Sequence, residues 1–274
     1  PAAGSRVAGG GILAEYATMY LFRRSLLTAA SLLTLLVLVF FLSRLTGDPS
    51  YLFLPVDASQ EVREAFSKAH GFDQPLMVQF LTYLRQIFTW DFGISLRQQR
   101  PAMDVALEAF PVTLKLISVS LAIAFAAALM FGSIAAYRPR SLADRAITTF
   151  SLFGASAPDF WVAIMLVLLF SVQLGLVPTS GVGGPAYWIL PVTVLFLRPF
   201  GLLAQVVRGA MIGALSAPYV KAGRAKGVPE RRILFVHAMR NAMLPVVTVA
   251  GDLTASLLNG AVIVETVFGW PGIG

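Results

Sequence analysis

Few residues in this chain have side chains that could act as acids, bases, nucleophiles or metal ligands. Cysteine is absent, and the two histidines, His70 and His237, are far apart in the sequence. This excludes disulfides, thiolate metal sites and a cysteine nucleophile, and it predicts neither a metal site nor a bound cofactor. The phosphate-binding pattern G-x-x-x-x-G-K-[ST] does not occur. We therefore expect no catalytic residue here and no ATP hydrolysis by this chain itself.

Two charged residues, Arg198 and Asp252, lie inside long apolar segments, where an ionisable group is costly and usually faces a cavity or another polar group. At about 1.5 Å per residue, each is roughly 14–17 Å from the inner end of its segment, near the midplane of a bilayer. We expect them either to form an ion pair between neighbouring helices or to line a translocation path.

These residues leave alternative functions open. A secondary transporter driven by protons through Asp252 would carry paired repeats with broken helices, and we find no internal repeat. An intramembrane hydrolase would need a histidine- or serine-based constellation within the apolar segments, and neither His70 nor His237 lies in one.

A basic stretch precedes the last apolar segment and runs from 219 to 246, YVKAGRAKGVPERRILFVHAMRNAMLPV. Gly227 followed by Pro229 predicts that one short helix ends here and another begins. Tyr219, Ala222 and Ala225 give the first helix a slim apolar side, and such small residues let another surface approach closely. A nucleic-acid patch, a membrane-surface anchor and a partner docking site would each produce such a pattern.

The composition of the chain argues against the first of these three, a nucleic-acid patch. Of the 274 residues, 57% are hydrophobic and only 13% are charged, with a mean hydropathy of +0.76. Soluble domains have about a quarter of their residues charged, so this is a membrane protein, and the net charge of +7 concerns its topology rather than a nucleic-acid partner. The fold class is therefore all-α polytopic, with five predicted spans at 25–43, 116–137, 160–177, 188–207 and 242–267.

The distribution of lysine and arginine orients these spans. Cations are frequent in the connectors 138–145 and 208–240 and absent from 178–188, so positive-inside counting places the first two connectors and the N-terminus in the cytoplasm. The segment 46–114 is then extracytoplasmic. The expected organisation is a disordered leader at 1–18, the first membrane helix at 19–45, the outer segment at 46–114 and a membrane core at 115–274.

The outer segment contains a predicted helix, MVQFLTYLRQIF, that starts just after Pro75. Its apolar residues share one face at helical spacing: Met77, Phe80, Leu81, Leu84, Ile87 and Phe88. We favour a helix that packs on the membrane edge or on the spans of its own chain. A surface that contacts a receptor is compatible with this.

The basic stretch resembles the cytoplasmic "EAA" loop of permease subunits in bacterial ABC importers. Ala222 and Gly227 match that pattern, whereas Lys221 stands for its glutamate, Gly223 for its second alanine, and its downstream Ile-x-Leu-Pro is missing at 237–240. The resemblance is to the dipeptide, oligopeptide and nickel branch. It extends to GDP at 47–49, GFDQP at 71–75, DFGIS at 91–95, PVTLKL at 111–116, APDFW at 157–161, LVPTSG at 176–181 and ETVFGWPGIG at 265–274.

The resemblance implies an inner-membrane subunit of an ATP-driven importer for peptides or similar solutes, such as nickel complexes, glutathione or opines. Its implied partners are a homologous permease in a heterodimer, two ATPase subunits that bind ATP and Mg, an extracytoplasmic substrate-binding protein and membrane lipid. Transport would proceed by alternating access. Members of this branch have a sixth span after the GWPG turn, so the resemblance implies one beyond Gly274.

The resemblance also implies roles for individual residues. A coupling helix at about 219–228 would dock on the ATPase. The residues expected in that contact are Tyr219, Ala222, Gly223, Ala225, Lys226, Gly227, Glu230 and Arg231. Glu265, Phe268 and Trp270 are expected at an extracytoplasmic gate or receptor contact, or at a helix end anchored by Trp270. Asp159 is expected to cap the helix that follows it.

Overall fold

The computed structural model describes residues 5–45, 54–55, 58–95 and 98–274, with side chains from Thr18 onward. Within this part the chain forms two compact units that divide after Met103. Helices make up both units, as the composition predicts for an all-α membrane protein. Four of them are long and apolar enough to cross a membrane: Thr18–Leu45, Ala102–Tyr137, Ala186–Ser216 and Glu230–Phe268.

The first unit contains a long helix, α1 (Ser5–Leu45), and two short ones, α2 (Gln60–Ala69) and α3 (Leu76–Phe88). Helix α1 begins at Ser5, within the stretch for which the sequence predicts a disordered leader. Helix α2 is capped by the Ser59 side chain, which accepts a hydrogen bond from the Val62 amide. Helix α3 starts directly after Pro75, which confirms the helix predicted there.

The second unit contains seven helices among the residues described. They are α4 (Ala102–Tyr137), α5 (Leu142–Ser156), α6 (Asp159–Leu166, continued by a π-helical turn Val167–Gln173), α7 (Ala186–Ser216), α8 (Pro218–Ala225), α9 (Glu230–Arg232, continued by a π-helical turn Ile233–Ala238) and α10 (Met239–Phe268). Helix α4 starts 13 residues before position 115, because Pro111 is accommodated inside the helix, so its first turns belong to the segment predicted to lie outside the membrane.

The third predicted span is shorter than a single helix that crosses the membrane. Residues Asp159–Gln173 are helical, which at about 1.5 Å per residue gives roughly 22 Å, less than the hydrocarbon core of about 30 Å. Helix α5 precedes this segment and meets it at an angle of 106°. Ala157 and Pro158 are extended at the bend, since the residue before a proline avoids the helical region. The two short helices together can count as one broken span.

Helix α7 lies at the centre of the second unit. Buried apolar side chains of α4, α6 and α10 pack along it in two clusters, one around Leu203 and Val207 and the other around Val194 and Leu195. The face of α4 toward the interior carries small residues at intervals of four, namely Ser120, Ala124, Ala128, Gly132 and Ala136, all buried. Small residues at this spacing allow helices in a membrane to approach closely.

Helices α5 and α7 cross at backbone contact. A Cβ atom built on Gly201 would overlap the Ser151 carbonyl oxygen and lie 2.7 Å from the Ala155 nitrogen. On the opposite side of the crossing, a Cβ atom on Gly154 would lie 2.7 Å from the Leu197 carbonyl oxygen. Both positions therefore require glycine, because the two backbones are too close for a Cβ atom. The crossing holds the broken span against α7.

The crossing generates a stability prediction. Gly201→Ala should lower the free energy of unfolding by about 1–3 kcal/mol, because the added methyl group would meet backbone atoms of Ser151 and Ala155 that cannot rotate away. Gly209→Ala on the same helix is the matched control, since nothing lies within 4 Å of its Cβ position, and helix propensity predicts a neutral or stabilising effect. Thermal unfolding in detergent measures both variants. Equal melting temperatures would contradict the close crossing.

Candidate functional site

The stretch predicted to dock a partner has the local structure that its sequence indicates. Helix α8 begins with Pro218 at its first position and ends at Ala225. Gly227 then adopts a left-handed conformation with φ of +76°, which glycine takes without steric cost. Pro229 is extended, and α9 starts at Glu230. The Gly227 and Pro229 signals therefore mark the end of one helix and the start of the next, as predicted.

Two contacts fix the shape of this connector. Val220 is buried and attaches α8 to the body of the unit. Across the turn, the Arg224 guanidinium donates to both oxygens of the Glu230 carboxylate, at 2.7 and 3.2 Å, and this hydrogen bonding raises the pKa of Arg224. Both side chains are exposed to solvent, so the pair orients the turn more than it stabilises the fold.

The remaining predicted docking residues are mostly accessible. Gly223 is half-buried against Ile233, while the exposed members are Tyr219, Ala222, Ala225, Lys226, Gly227 and Arg231. The structure thus brings the predicted set together on one short helix and the turn after it. That surface is basic, and its small residues Ala222 and Ala225 are exposed.

Asp144 forms an ion pair that sequence analysis missed. Its carboxylate is buried and accepts hydrogen bonds from Arg208 of α7, with Nη2 2.8 Å from Oδ2. The Arg140 amide donates to the same carboxylate, and the Ser141 side chain caps α5 by accepting from the Asp144 amide. The Ser-x-x-Asp spacing is a capping-box signal that could have located Asp144. Its partner, 64 residues away, carries no such signal.

Arg198 and Asp159 share a small cavity between α6, α7 and α10. Its lining also includes Pro199, Leu253, Ser256 and Gly260. Asp159 is half-buried, and a Cβ atom on Gly260 would lie 3.1 Å from its Oδ2 atom. Asp159 does not cap α6: the N-cap is Pro158 and no side-chain cap bond forms. The bend before α6 instead places this carboxylate beside the middle of α7 rather than at the inner membrane surface.

The predicted ion pair between Arg198 and Asp252 is not formed. Asp252 is exposed, and the Arg198 cavity opens about one turn further along α10, at Ser256 and Gly260. The charge that acts electrostatically on Asp159 is Arg198. Counting residues along each segment gives the depth of a side chain, but it gives neither the rotation of the helices nor the bend that carries Asp159 to this level.

Helix α10 presents a polar stripe, defined here as Asn241, Thr248, Asp252, Ser256 and Asn259. At 100° per residue these five positions fall within an arc of about 80°, and all five side chains are exposed in this chain. A second face of the helix is buried, and a third carries exposed apolar residues such as Leu244, Val247 and Val262. The stripe spans 18 residues, or about 27 Å, close to the thickness of the hydrocarbon core.

Glu265 occupies the far end of α10 and is 1% exposed. The Thr113 hydroxyl of α4 donates to its Oε1 atom at 2.6 Å, and the Gly274 amide donates to its Oε2 atom at 2.8 Å. Thr113 also accepts from the Ile273 amide at 3.0 Å. A Cβ atom on Gly272 would overlap the carboxylate, so the turn after α10 closes over Glu265 only with glycine there.

Phe268 and Trp270, predicted with Glu265 at a gate or receptor contact, are also buried. The Trp270 ring packs edge-on against Trp188 of α7 at 4.8 Å, and the Lys115 ammonium lies 5.5 Å from the Trp188 ring centre. The Phe268 carbonyl accepts from the Gly181 amide at 2.7 Å. The structure brings the three side chains together, but they are buried in the interior of this end of the unit, which is called here the closed end. Trp270 packs within the protein and does not project outward as an interfacial anchor.

Comparisons with known proteins agree with this architecture. The profile of the family described as "Binding-protein-dependent transport system inner membrane component" matches residues 128–274. The chain is 36% identical over 267 residues to the oligopeptide transport system permease protein AppB of Bacillus subtilis, covering 93% of this chain and 84% of AppB. It is 37% identical over 256 residues to the glutathione transport system permease protein GsiC of Escherichia coli K12, with coverage of 93% and 84%.

The Glu265 contacts generate a prediction about the closed end. Thr113→Val removes both the donor to Glu265 and the acceptor for Ile273, which should cost about 1–3 kcal/mol of stability. Thr113→Ser keeps the hydroxyl group and is the matched control. Hydrogen exchange at the Ile273 and Gly274 amides should quicken in the valine variant alone. Unchanged exchange in that variant would show that the turn is held by other contacts.

Proposed function

We propose that this chain, which belongs to the family of binding-protein-dependent transport system inner membrane components, forms one half of a path by which peptides cross the membrane. It is the membrane-embedded permease subunit of an ABC importer of the peptide branch. The other half of the path would come from a second, homologous permease. ATP hydrolysis belongs to separate ATPase subunits, and an extracytoplasmic binding protein delivers the substrate.

The polar stripe on α10 is the observation that carries the proposed path. Asp252 and its four polar neighbours are exposed over nearly the full thickness of a membrane, and exposure of an ionisable group to lipid is costly. The stripe therefore faces water or another polar surface in the assembled transporter. A path between two permeases supplies both, whereas the apolar face with Leu244 and Val262 suits lipid.

The substrate class follows from the relatives and from the charges beside the stripe. AppB and GsiC are named for oligopeptides and glutathione, which carry amino and carboxylate groups. Arg198, Asp159 and Ser256 meet at one cavity next to the stripe and offer groups of both signs. A passing peptide can exchange brief hydrogen bonds with such groups without binding tightly. The ion-coupled alternative has no support among these relatives.

Coupling to ATP is assigned to α8. Its exposed small residues and the turn at Gly227 suit insertion into a groove on one ATPase subunit. The homologous permease would supply a second coupling helix for the second ATPase subunit. Closure of the ATPases around ATP would draw the two coupling helices together and turn the path outward. The cations near α8 favour the cytoplasmic side for this connector and for the N-terminus.

The outer gate is assigned to the closed end around Glu265, Phe268 and Trp270. These side chains are buried at the opposite end of α10 from the coupling helix, and the Gly181 amide holds the neighbouring connector to the same end. Opening toward the receptor would separate this end from Trp188 and Thr113. The contact with the receptor itself would then fall on the exposed backbone of the turn.

The coupling assignment predicts the effect of two substitutions. Ala225→Trp places a bulky side chain on the docking surface, and Gly227→Pro cannot adopt the positive φ of the turn. Both variants should insert in the membrane and lose peptide uptake together with co-purification of the ATPase. Ala143→Trp, an exposed alanine in the other cytoplasmic connector, is the control and should retain both. Normal uptake by the Ala225 and Gly227 variants would refute the docking site.

The path assignment predicts a separate pattern. Asp252→Leu or Ser256→Leu should reduce uptake of a labelled tripeptide by about tenfold, the effect of losing roughly 1.4 kcal/mol. ATP hydrolysis stimulated by the receptor should persist, because the coupling helix is intact. Val262→Leu on the apolar face is the control. If the second permease no longer co-purifies with the Asp252 variant, the stripe is a subunit contact and the path assignment fails.

A further inference from the structure

Helix α3 has more apolar surface than its own unit covers. At 100° per residue, Phe80, Tyr83 and Ile87 point to one side, where the Phe80 and Tyr83 rings lie 5.2 and 5.5 Å from the ring of Phe40 on α1. Phe40 is only 3% exposed as a result. A neighbouring side of α3 is apolar but uncovered, and the remaining side carries Thr82 and Gln86.

The uncovered side forms a continuous patch, called here the aromatic patch. Met77, Leu81 and Phe88 lie within about 40° of one another on α3 and are 63%, 59% and 78% exposed. The patch continues past the end of the helix through Trp90, Phe92 and Ile94, all exposed. Trp90 has a φ of +58° and its ring lies 6.3 Å from that of Phe92. Asp91 between them accepts a hydrogen bond from the Gly93 amide.

The depth of this patch relative to the membrane follows from α1. Phe40 lies five residues, or about 7.5 Å, from the last residue of α1, Leu45. The Arg44 guanidinium, which marks the charged end of the apolar segment, lies 5.2 Å from the Phe40 ring centre and 5.1 Å from that of Phe72. Helix α3 therefore crosses α1 just inside the level at which the hydrocarbon ends.

We propose that the aromatic patch is immersed in the lipid at the membrane–water interface on the Leu45 side of α1. Amphipathic helices in this zone sink about 5–10 Å into the boundary between headgroups and acyl chains, which is the depth that the Phe40 contact gives. Tryptophan and other aromatic residues are favoured at that level. Apolar side chains near the end of α1, such as Leu42 and Leu45, are likewise exposed. This proposal is independent of the substrate and of the transport path.

The absence of cysteine makes a direct test possible. Leu81→Cys and Phe88→Cys, each carrying a nitroxide spin label, are compared with Gln86→Cys on the polar side of the same helix. The whole chain is reconstituted in nanodiscs of phosphatidylethanolamine and phosphatidylglycerol. Collisions with oxygen, which concentrates in lipid, should exceed those with a water-soluble nickel chelate at 81 and 88. The order should reverse at 86.

Two results would overturn the proposal. If labels at 81 and 88 collide with the nickel chelate as often as the label at 86, the patch faces water. The second result would be that another protein covers the patch. To test this, the measurement is repeated with the second permease, the ATPases and the receptor present. Loss of access to both collision partners on assembly would assign the patch to a subunit or receptor contact. Unchanged oxygen access in the full assembly supports immersion in lipid.

Discussion

Hydrocarbon offers no hydrogen bonds, and this constraint explains how the second unit places the carboxylates of Asp144, Glu265 and Asp252. Asp144 is buried with Arg208, and Glu265 is buried with Thr113 and the Gly274 amide. Both carboxylates are thereby satisfied within the chain. The Asp252 carboxylate has no side-chain partner among the residues described, and it is exposed together with the rest of the polar stripe. The contrast separates carboxylates that stabilise the fold from the exposed carboxylate that we assign to the proposed transport path.

Close helix contacts make this separation possible. Gly201 and Gly154 let α5 and α7 touch at the backbone, and the small residues of α4 pack toward the centre of the unit. Because α5 is held there and the chain bends by 106° at Pro158, α6 begins beside α7 and α10, at the cavity that Asp159 shares with Arg198. The bend thus delivers Asp159 to Arg198. A straight third span would have left that carboxylate at the membrane surface and the Arg198 guanidinium without a nearby opposite charge.

Features determined by residues close in sequence were predictable. Gly227 and Pro229 marked the turn after α8, and Pro75 with the period of apolar residues marked α3. Features that depend on distant residues were not. Asp144 and Arg208 are 64 positions apart, and Thr113 and Glu265 are 152 apart. Of the two alternatives for Arg198 and Asp252, the ion pair is not formed. Residue counting gives the depth of a side chain but not the rotation of its helix, and it does not show the bend at Pro158 that brings Asp159 to the same cavity.

The connector between α7 and α10 has a mechanical consequence. Only Ala217 separates α7 from α8, and the helical run from α9 through the π-helical turn reaches α10 without a loop. The Arg224–Glu230 pair spans the turn at Gly227, where the helical run is interrupted between α8 and α9. If α8 docks on an ATPase as proposed, a displacement of α8 would therefore move two helices at once, the one that carries Arg198 and the one that carries Asp252. The two sides of the cavity between them would then tilt together.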